Sequence, residues 1–282
     1  MDTKWKPFSV AEQQYLIANF SVIGGTRCAK NLHRSRQCIN QNAKRLGLKL
    51  DRSKIMLYVL KKPFNQFNVD PTFFIIPEQM TSVNTYLLGF IWADGHISFR
   101  GTAAEISARF VTDDSYDLIP IFKETGKWSI YTQHPYGCRE ATIVQTNNRP
   151  LAEYLRDKGY VAKSSNAATD ILNTIPKHLN RHWWRGCFDG DGCFYIGKKY
   201  SQISLFSTYE QDWKHFDVLC KEQNIPYTIC RTIRRRGKSS SVRISSQDGM
   251  CKLIHYLYPN GFEFGLKRKF IKSQLLLSSL AV

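Results

Sequence analysis

The sequence predicts an α+β protein made of two copies of one unit (helix, two strands, helix, two strands, helix), preceded by a small all-α module. Three observations carry this. A motif ending in Asp-Gly occurs twice, as "YLLGFIWADGHISF" (Tyr86 to Phe99) and "WWRGCFDGDGCFYI" (Trp183 to Ile196). The same order of strand-like and helix-like segments follows each copy. The first seventy residues hold +9 of a formal net charge of +17, and residues 1–50 among them read as short helices.

The motifs come first. Aligning their final Asp-Gly pairs matches Gly89 with Gly186, Ala93 with Gly190, Asp94 with Asp191 and Gly95 with Gly192. Small residues four apart (Gly89 and Ala93; Gly186 and Gly190) share one helix face and let two backbones approach closely. Gly is favoured just past a helix C-terminus. A carboxylate there faces the negative end of the helix dipole, and two of them side by side repel unless a cation lies between. A lone Asp-Gly is ordinary turn chemistry, but chance hardly repeats the whole element order around both. A calcium loop counted from Asp189 fails, because its twelfth position is Tyr200 and not Glu.

After the first motif, 104–126 passes from strand-like alternation into a helix with Leu118, Ile119 and Phe122 inward; 201–224 does the same with Phe216, Leu219 and Cys220. Hairpins follow at 127–146 and 225–246, with Gly137 and Gly237 at the turns. Each copy closes with a helix, and 173–182 links the halves with Pro176 as a breaker.

These residues carry a family resemblance. The two motifs, and "IPKHLNRHWWRGCFDGDGCFYI" in particular, resemble those of the LAGLIDADG homing endonucleases in their single-chain, two-motif form, over residues 77–282. The resemblance implies two pseudo-symmetric αββαββα units, 77–172 and 173–282, with motif helices at their interface and saddle-shaped antiparallel sheets over DNA. It implies that Asp94 and Asp191 bind magnesium, with manganese as a substitute. Trp92 stands where the second motif has Asp189, which reads as structural. The family usually places a basic residue beside each scissile phosphate. Lys163 matches one such lysine, and Lys267 stands as its counterpart, displaced by two residues; solvated surface lysines are the competing reading.

Composition points to the same partner. Lys and Arg number 40 against 23 acids, a balance suited to a polyanion. The charge divides as +9 over 1–70, −2 over 71–170 and +10 over 171–282. Around the second hairpin, Arg231, Arg234, Arg235, Arg236, Lys238 and Arg243 are candidate DNA contacts, and Lys198 and Lys199 adjoin them. The first hairpin offers Tyr131, Gln133, His134 and Arg139. Such Gln and Arg side chains can read adenine and guanine in the major groove, and unequal hairpins suit a non-palindromic target read by a monomer.

Residues 1–50 resemble the Myb-like or helix-turn-helix trihelical modules attached to mobile nucleases. Ser9 is the expected first N-cap, with Gln13 near the capping-box position. Tyr15, Leu16 and Phe20 are expected in the core, and Cys38, Ala43 and Leu46 face inward from a third helix running from Ser35 to Gly47. Arg34, Arg36, Gln37, Asn40, Gln41 and Lys44 would then meet DNA. Residues 51–76 read as a linker able to lie extended along DNA.

The eight cysteines show no Cys-x-x-Cys spacing, which disfavours structural zinc and fits reduced side chains in an intracellular compartment. The expected compartment is the cytoplasm of a bacterium or phage-infected cell, with an organelle as the alternative. No apolar run is long enough for a membrane span. The function expected is metal-dependent cleavage of double-stranded DNA at a long, asymmetric site. A transcriptional regulator, or a maturase acting on intron RNA, is the alternative. An intein is disfavoured because the chain lacks a splicing nucleophile at its start and a His-Asn ending.

Overall fold

A computed structural model describes residues 7–51, 68–134, 139–234 and 237–280. The chain forms two compact units, residues 1–66 and 67–282.

In the first unit, α1 (Val10–Asn31) is capped by Ser9, whose hydroxyl accepts from Glu12 N at 3.2 Å while the Glu12 carboxylate accepts from Ser9 N at 2.8 Å. The capping box therefore uses Glu12, and Gln13 lies one residue beyond it. Gly24, at φ 74° and ψ 165°, is non-helical and divides this range into two helices across a kink, so with the helix from Ser35 the described part of the unit has the three helical stretches expected. Helix α2 (Arg36–Arg45) starts at Ser35 as the sequence suggests. Leu16, Phe20, Cys28, Ala29, Ile39 and Ala43 form a core of their own. The inward residues of α2 are Ala43, as expected, and Ile39 rather than Cys38, and Leu46 and Tyr15 are only partly covered.

The second unit is α+β. Its first half runs α3 (Thr72–Ile75), α4 (Ser82–Asp94), β1 (Gly95–Arg100), β2 (Ala103–Val111), α5 (Ser115–Glu124), β3 (Ser129–Gln133), β4 (Ala141–Asn147) and α6 (Arg149–Asp157). A short α7 (Thr169–Leu172) leads into the second half. This runs α8 (Asn180–Asp191), β5 (Gly192–Ile196), β6 (Ser201–Thr208), α9 (Lys214–Glu222), β7 (Thr228–Arg234), β8 (Gly237–Ile244), α10 (Gln247–Leu257) and α11 (Lys267–Leu280). The two sheets are antiparallel with equivalent orders, β1-β2-β4-β3 and β5-β6-β8-β7. Residues 68–76 do not act as linker. Val69 is fully buried and bridges Gly126, and Asn148 Nδ2 donates to its carbonyl at 2.7 Å.

Helices α4 and α8 pack on each other at the centre. Every residue from Asn84 to Trp92 and from His182 to Asp189 is buried, so these helices are covered on all sides. The packing depends on glycine. A Cβ on Gly89 would run into the Trp183 carbonyl, and one on Gly186 into the Tyr86 carbonyl. Each half also clasps the other. Arg268 donates to both oxygens of buried Asp114 at 2.6 and 2.7 Å. In return, Asp212 N and Gln211 Nε2 donate to Ser165 O and Asn166 O, both at 2.8 Å, and Thr208 Oγ1 donates to Ser164 O.

Candidate active site and nucleic-acid surface

Asp94 and Asp191 end α4 and α8, where the two helices are still in contact: a Cβ on Gly190 would meet the Ala93 methyl and, at 3.1 Å, Asp94 Oδ2. The structure thus brings together Gly89, Ala93, Gly186 and Gly190 with both aspartates. Removal from water and the neighbouring Asp191 charge raise Asp94 to about 6, against the pull of Lys269 and Lys163. Asp94 keeps an exposed edge. Solvent therefore tempers its desolvation, and the repulsion from Asp191 is the durable part of the shift. Asp191 is also raised by burial, with Lys163 and Lys269 opposing. Among the described residues no group of three or more His, Cys, Asp and Glu side chains is placed to hold a metal. Any ion at this point would have two protein carboxylates and take its other ligands from water or phosphate, which suits magnesium.

Asp189 is not part of this pair. It lies buried, accepting from Tyr86 Oη at 2.7 Å and from Leu266 N at 2.8 Å, and so ties the first motif helix to the segment before α11. Gly265 passes close by at φ 103°, where a Cβ would press on Asp189 Oδ2. Trp92, at the matching position, packs its ring against Tyr160 and Trp183.

Each helix end is closed by a lysine. Lys163 Nζ donates to the carbonyls of Trp92 (2.7 Å), Ala93 (2.9 Å) and Gly95 (2.9 Å). Its counterpart is Lys269 and not Lys267: Lys269 Nζ donates to Phe188 O (2.7 Å), Gly190 O (3.2 Å) and Gly192 O (2.7 Å). Lys267 is exposed at the start of α11. Gly159 and Gly265, both at positive φ, each stand four residues before the capping lysine. Counting from those glycines finds Lys269 directly in the sequence. Both lysines use their protons on the last carbonyls of the motif helices, satisfying orphan acceptors at the negative dipole end. Desolvation brings Lys163 down to about 8 despite both aspartates, and lowers Lys269 as well.

The strands leaving the motifs carry the open faces. In β2, Ala104, Ile106, Ala108 and Phe110 are buried, and Glu105, Ser107 and Arg109 alternate with them toward solvent. Register places Ser107 beside His96 and Gln145, and Arg109 beside Ile143, with Tyr131 next across. Tyr131 and Gln133 are exposed, and Tyr131 Oη donates to Gln145 at 3.1 Å. His134 pairs with Glu140 at 3.1 Å, and Arg139 is exposed just before β4. Attention to the hairpins alone misses His96, Arg109 and Gln145. The period-2 alternation of 103–111 is the signal that marks Arg109.

In the second sheet the basic residues divide. Arg243 pairs with Thr228 and Arg231 with Ser240, three residues apart on β7 and therefore on opposite faces. Arg231 reaches back to Tyr209 O at 3.1 Å, and Lys238 lies over the Tyr209 ring at 5.8 Å. These two serve the 209–211 loop instead of the Arg243 face. Lys198 and Lys199 are exposed on the β5–β6 turn. Arg234 ends β7 opposite Gly237; its side chain, and Arg235, Arg236 and Gly137, lie outside the described residues.

In the first unit, Arg36, Gln37, Asn40, Gln41 and Lys44 line one face of α2. Arg34 lies off this face, with its guanidinium on Glu12 at 3.0 and 3.1 Å and over the Phe8 ring.

No family model and no curated protein matches the sequence. Among solved structures, a lysine-to-alanine mutant of I-SmaMI aligns with 72% of this chain and 91% of its own at TM-score 0.50 and 13% identity. The I-SmaMI LAGLIDADG homing endonuclease bound to cleaved DNA aligns at 0.49 and 13%, over 72% and 89% of the two chains. The complex of I-DmoI with DNA and Ca aligns at 0.47 and 13%, over 69% and 97%. The chain shares the two-unit α+β fold of the I-SmaMI mutant. At 13% identity the likeness concerns the fold alone.

Proposed function

We propose that this protein is a site-specific, divalent-metal-dependent endonuclease that cuts both strands of a long, asymmetric DNA site. One observation supports this above all: Asp94 and Asp191, from two pseudo-symmetric helices, converge at one point between two open-faced sheets. Two acids at the tail ends of buried helices are costly for stability. Holding a cation is the use that accounts for them, and their hard oxygens fit Mg²⁺ or Mn²⁺. When bound, such an ion supplies an activated water and stabilises charge on the phosphate. Lys163 and Lys269 fix the carbonyl ends of both helices and so hold the two carboxylates in position. Tyr131, Gln133, Arg243, Lys198 and Lys199 lie where the sheets would meet DNA. The α2 face, with Arg36, Gln37, Asn40, Gln41 and Lys44, adds a second contact along the duplex, and the protein acts as a monomer inside the cell.

Incubation with a randomised duplex library, or with flanking DNA from the gene's own locus, tests the proposal. Defined double-strand breaks should need magnesium or manganese and disappear in Asp94→Asn and Asp191→Asn. Tight, salt-sensitive duplex binding without cuts would replace the nuclease by a regulator, and selective binding of intron RNA would replace it by a maturase.

A further inference from the structure

The two halves keep one register where each strand passes its motif. Gly95 pairs with Ala108, and Gly192 pairs with Leu205. The next residue along the strand, level with the motif aspartate, is therefore Arg109 in one half and Phe206 in the other. Both lie on the open side of their strands: Arg109 is exposed between buried Ala108 and Phe110, and Phe206 is 42% exposed beside buried Leu205. Phe206 shares with Asp191, Ala93, Lys163 and Thr208 the wall of a cavity of about 290 Å³, which places this strand position at the aspartate site. Arg109 has no hydrogen-bond or ion-pair partner among the described residues, unlike Arg231 and Arg268, which are committed to the fold.

Resting on the nuclease reading, we infer that the two cutting centres are chemically unequal. Arg109 offers a guanidinium to the phosphate cut on the Asp94 side, and Phe206 offers nothing equivalent on the Asp191 side. In the hydrolysis a water oxygen bonds to phosphorus, one bridging P–O bond breaks, and a proton from the water ends on the leaving sugar oxygen. The phosphoryl oxygens gain negative charge on the way, and a charge-assisted donor aimed at them lowers that barrier. The neighbours add to the contrast: Arg109 stands beside Ile143, whereas Phe206 stands beside Ser241. The two strands are then cut in a fixed order, through a nicked intermediate.

The experiment uses the full chain, magnesium, and the duplex recovered by library selection, with each strand labelled separately. Wild type should cut one strand roughly 10- to 100-fold faster, the usual worth of one well-placed donor when discounted for exposure. Arg109→Gln should slow that strand by this factor and abolish the order, Arg109→Lys should retain most of the bias, and Phe206→Arg should speed the slow strand. Duplex affinity, followed in parallel, should fall by less than the strand rate in Arg109→Gln, because the guanidinium is worth most where the phosphoryl oxygens carry their added charge. Equal strand rates in wild type, or an unchanged bias in Arg109→Gln, would overturn the inference while leaving the nuclease standing. No cutting of any duplex by wild type would remove both.

Discussion

Replacing Lys269 by methionine keeps the side-chain volume and removes the ammonium group that caps α8. Three carbonyls, of Phe188, Gly190 and Gly192, lose their donor. A buried acceptor left without a partner costs about 1–3 kcal/mol. Gly190 and Gly192 are only half-buried, so water can replace part of what they lose. Burying the ammonium group also carried a desolvation cost, which the variant recovers. The net cost is about 3 kcal/mol. At roughly 2–4 °C per kcal/mol for a unit of this size, the main melting transition should fall by roughly 6–12 °C. Lys267→Met removes an exposed charge two residues away and should cost no more than about 0.5 kcal/mol. Calorimetry of the intact chain, followed through the transition of the larger unit, measures both. A Lys267→Met loss equal to or larger than that of Lys269→Met would refute the assignment of Lys269 as the cap.

Other expectations follow from the same geometry. Gly186→Ala puts a methyl group into the Tyr86 carbonyl, and Gly89→Ala does the same at Trp183. Backbone cannot give way as a side chain can, so each should cost at least about 2–3 kcal/mol by chemical denaturation, whereas Gly101→Ala, in open space, is limited to the strain of its positive φ. Asp94 has its folded pKa raised to about 6 from 3.8. The folded state therefore holds the proton longer, and the metal-free protein should lose stability as pH rises from about 4 to about 6. Over the same window the stabilisation by added magnesium should grow, because the ion needs the ionised carboxylate; thermal shifts with and without magnesium at each pH read this directly. Arg36→Ala and Lys44→Ala should each reduce the salt dependence of duplex affinity by about one unit of slope, measured by titration between low and moderate salt.

Much of this protein is legible in the sequence because its signals are local and repeated. Small residues four apart, an Asp-Gly ending and period-2 strands specify buried helices feeding antiparallel sheets, and the duplication doubles each signal. Ser9 and Ser35 mark helix starts for the same reason: a cap is chemistry within one turn. Register and cross-chain pairing are a different matter. Arg231 and Arg243 look alike in a basic run, yet three residues of β7 between their pairing positions put them on opposite faces. Arg34 looks like its neighbour Arg36 until Glu12, a full helix away, claims it. Lys269 becomes the cap because α11 returns to the end of α8, and Arg268 crosses to Asp114 in the other half. The sequence by itself determined the repeat, the helix pair and the two acids, since those follow from residue size and spacing along the chain. Only the tertiary structure decided which cations close the helices, which clasp the halves and which stay free for a polyanion, because a charged side chain is assigned by the partner that reaches it through space.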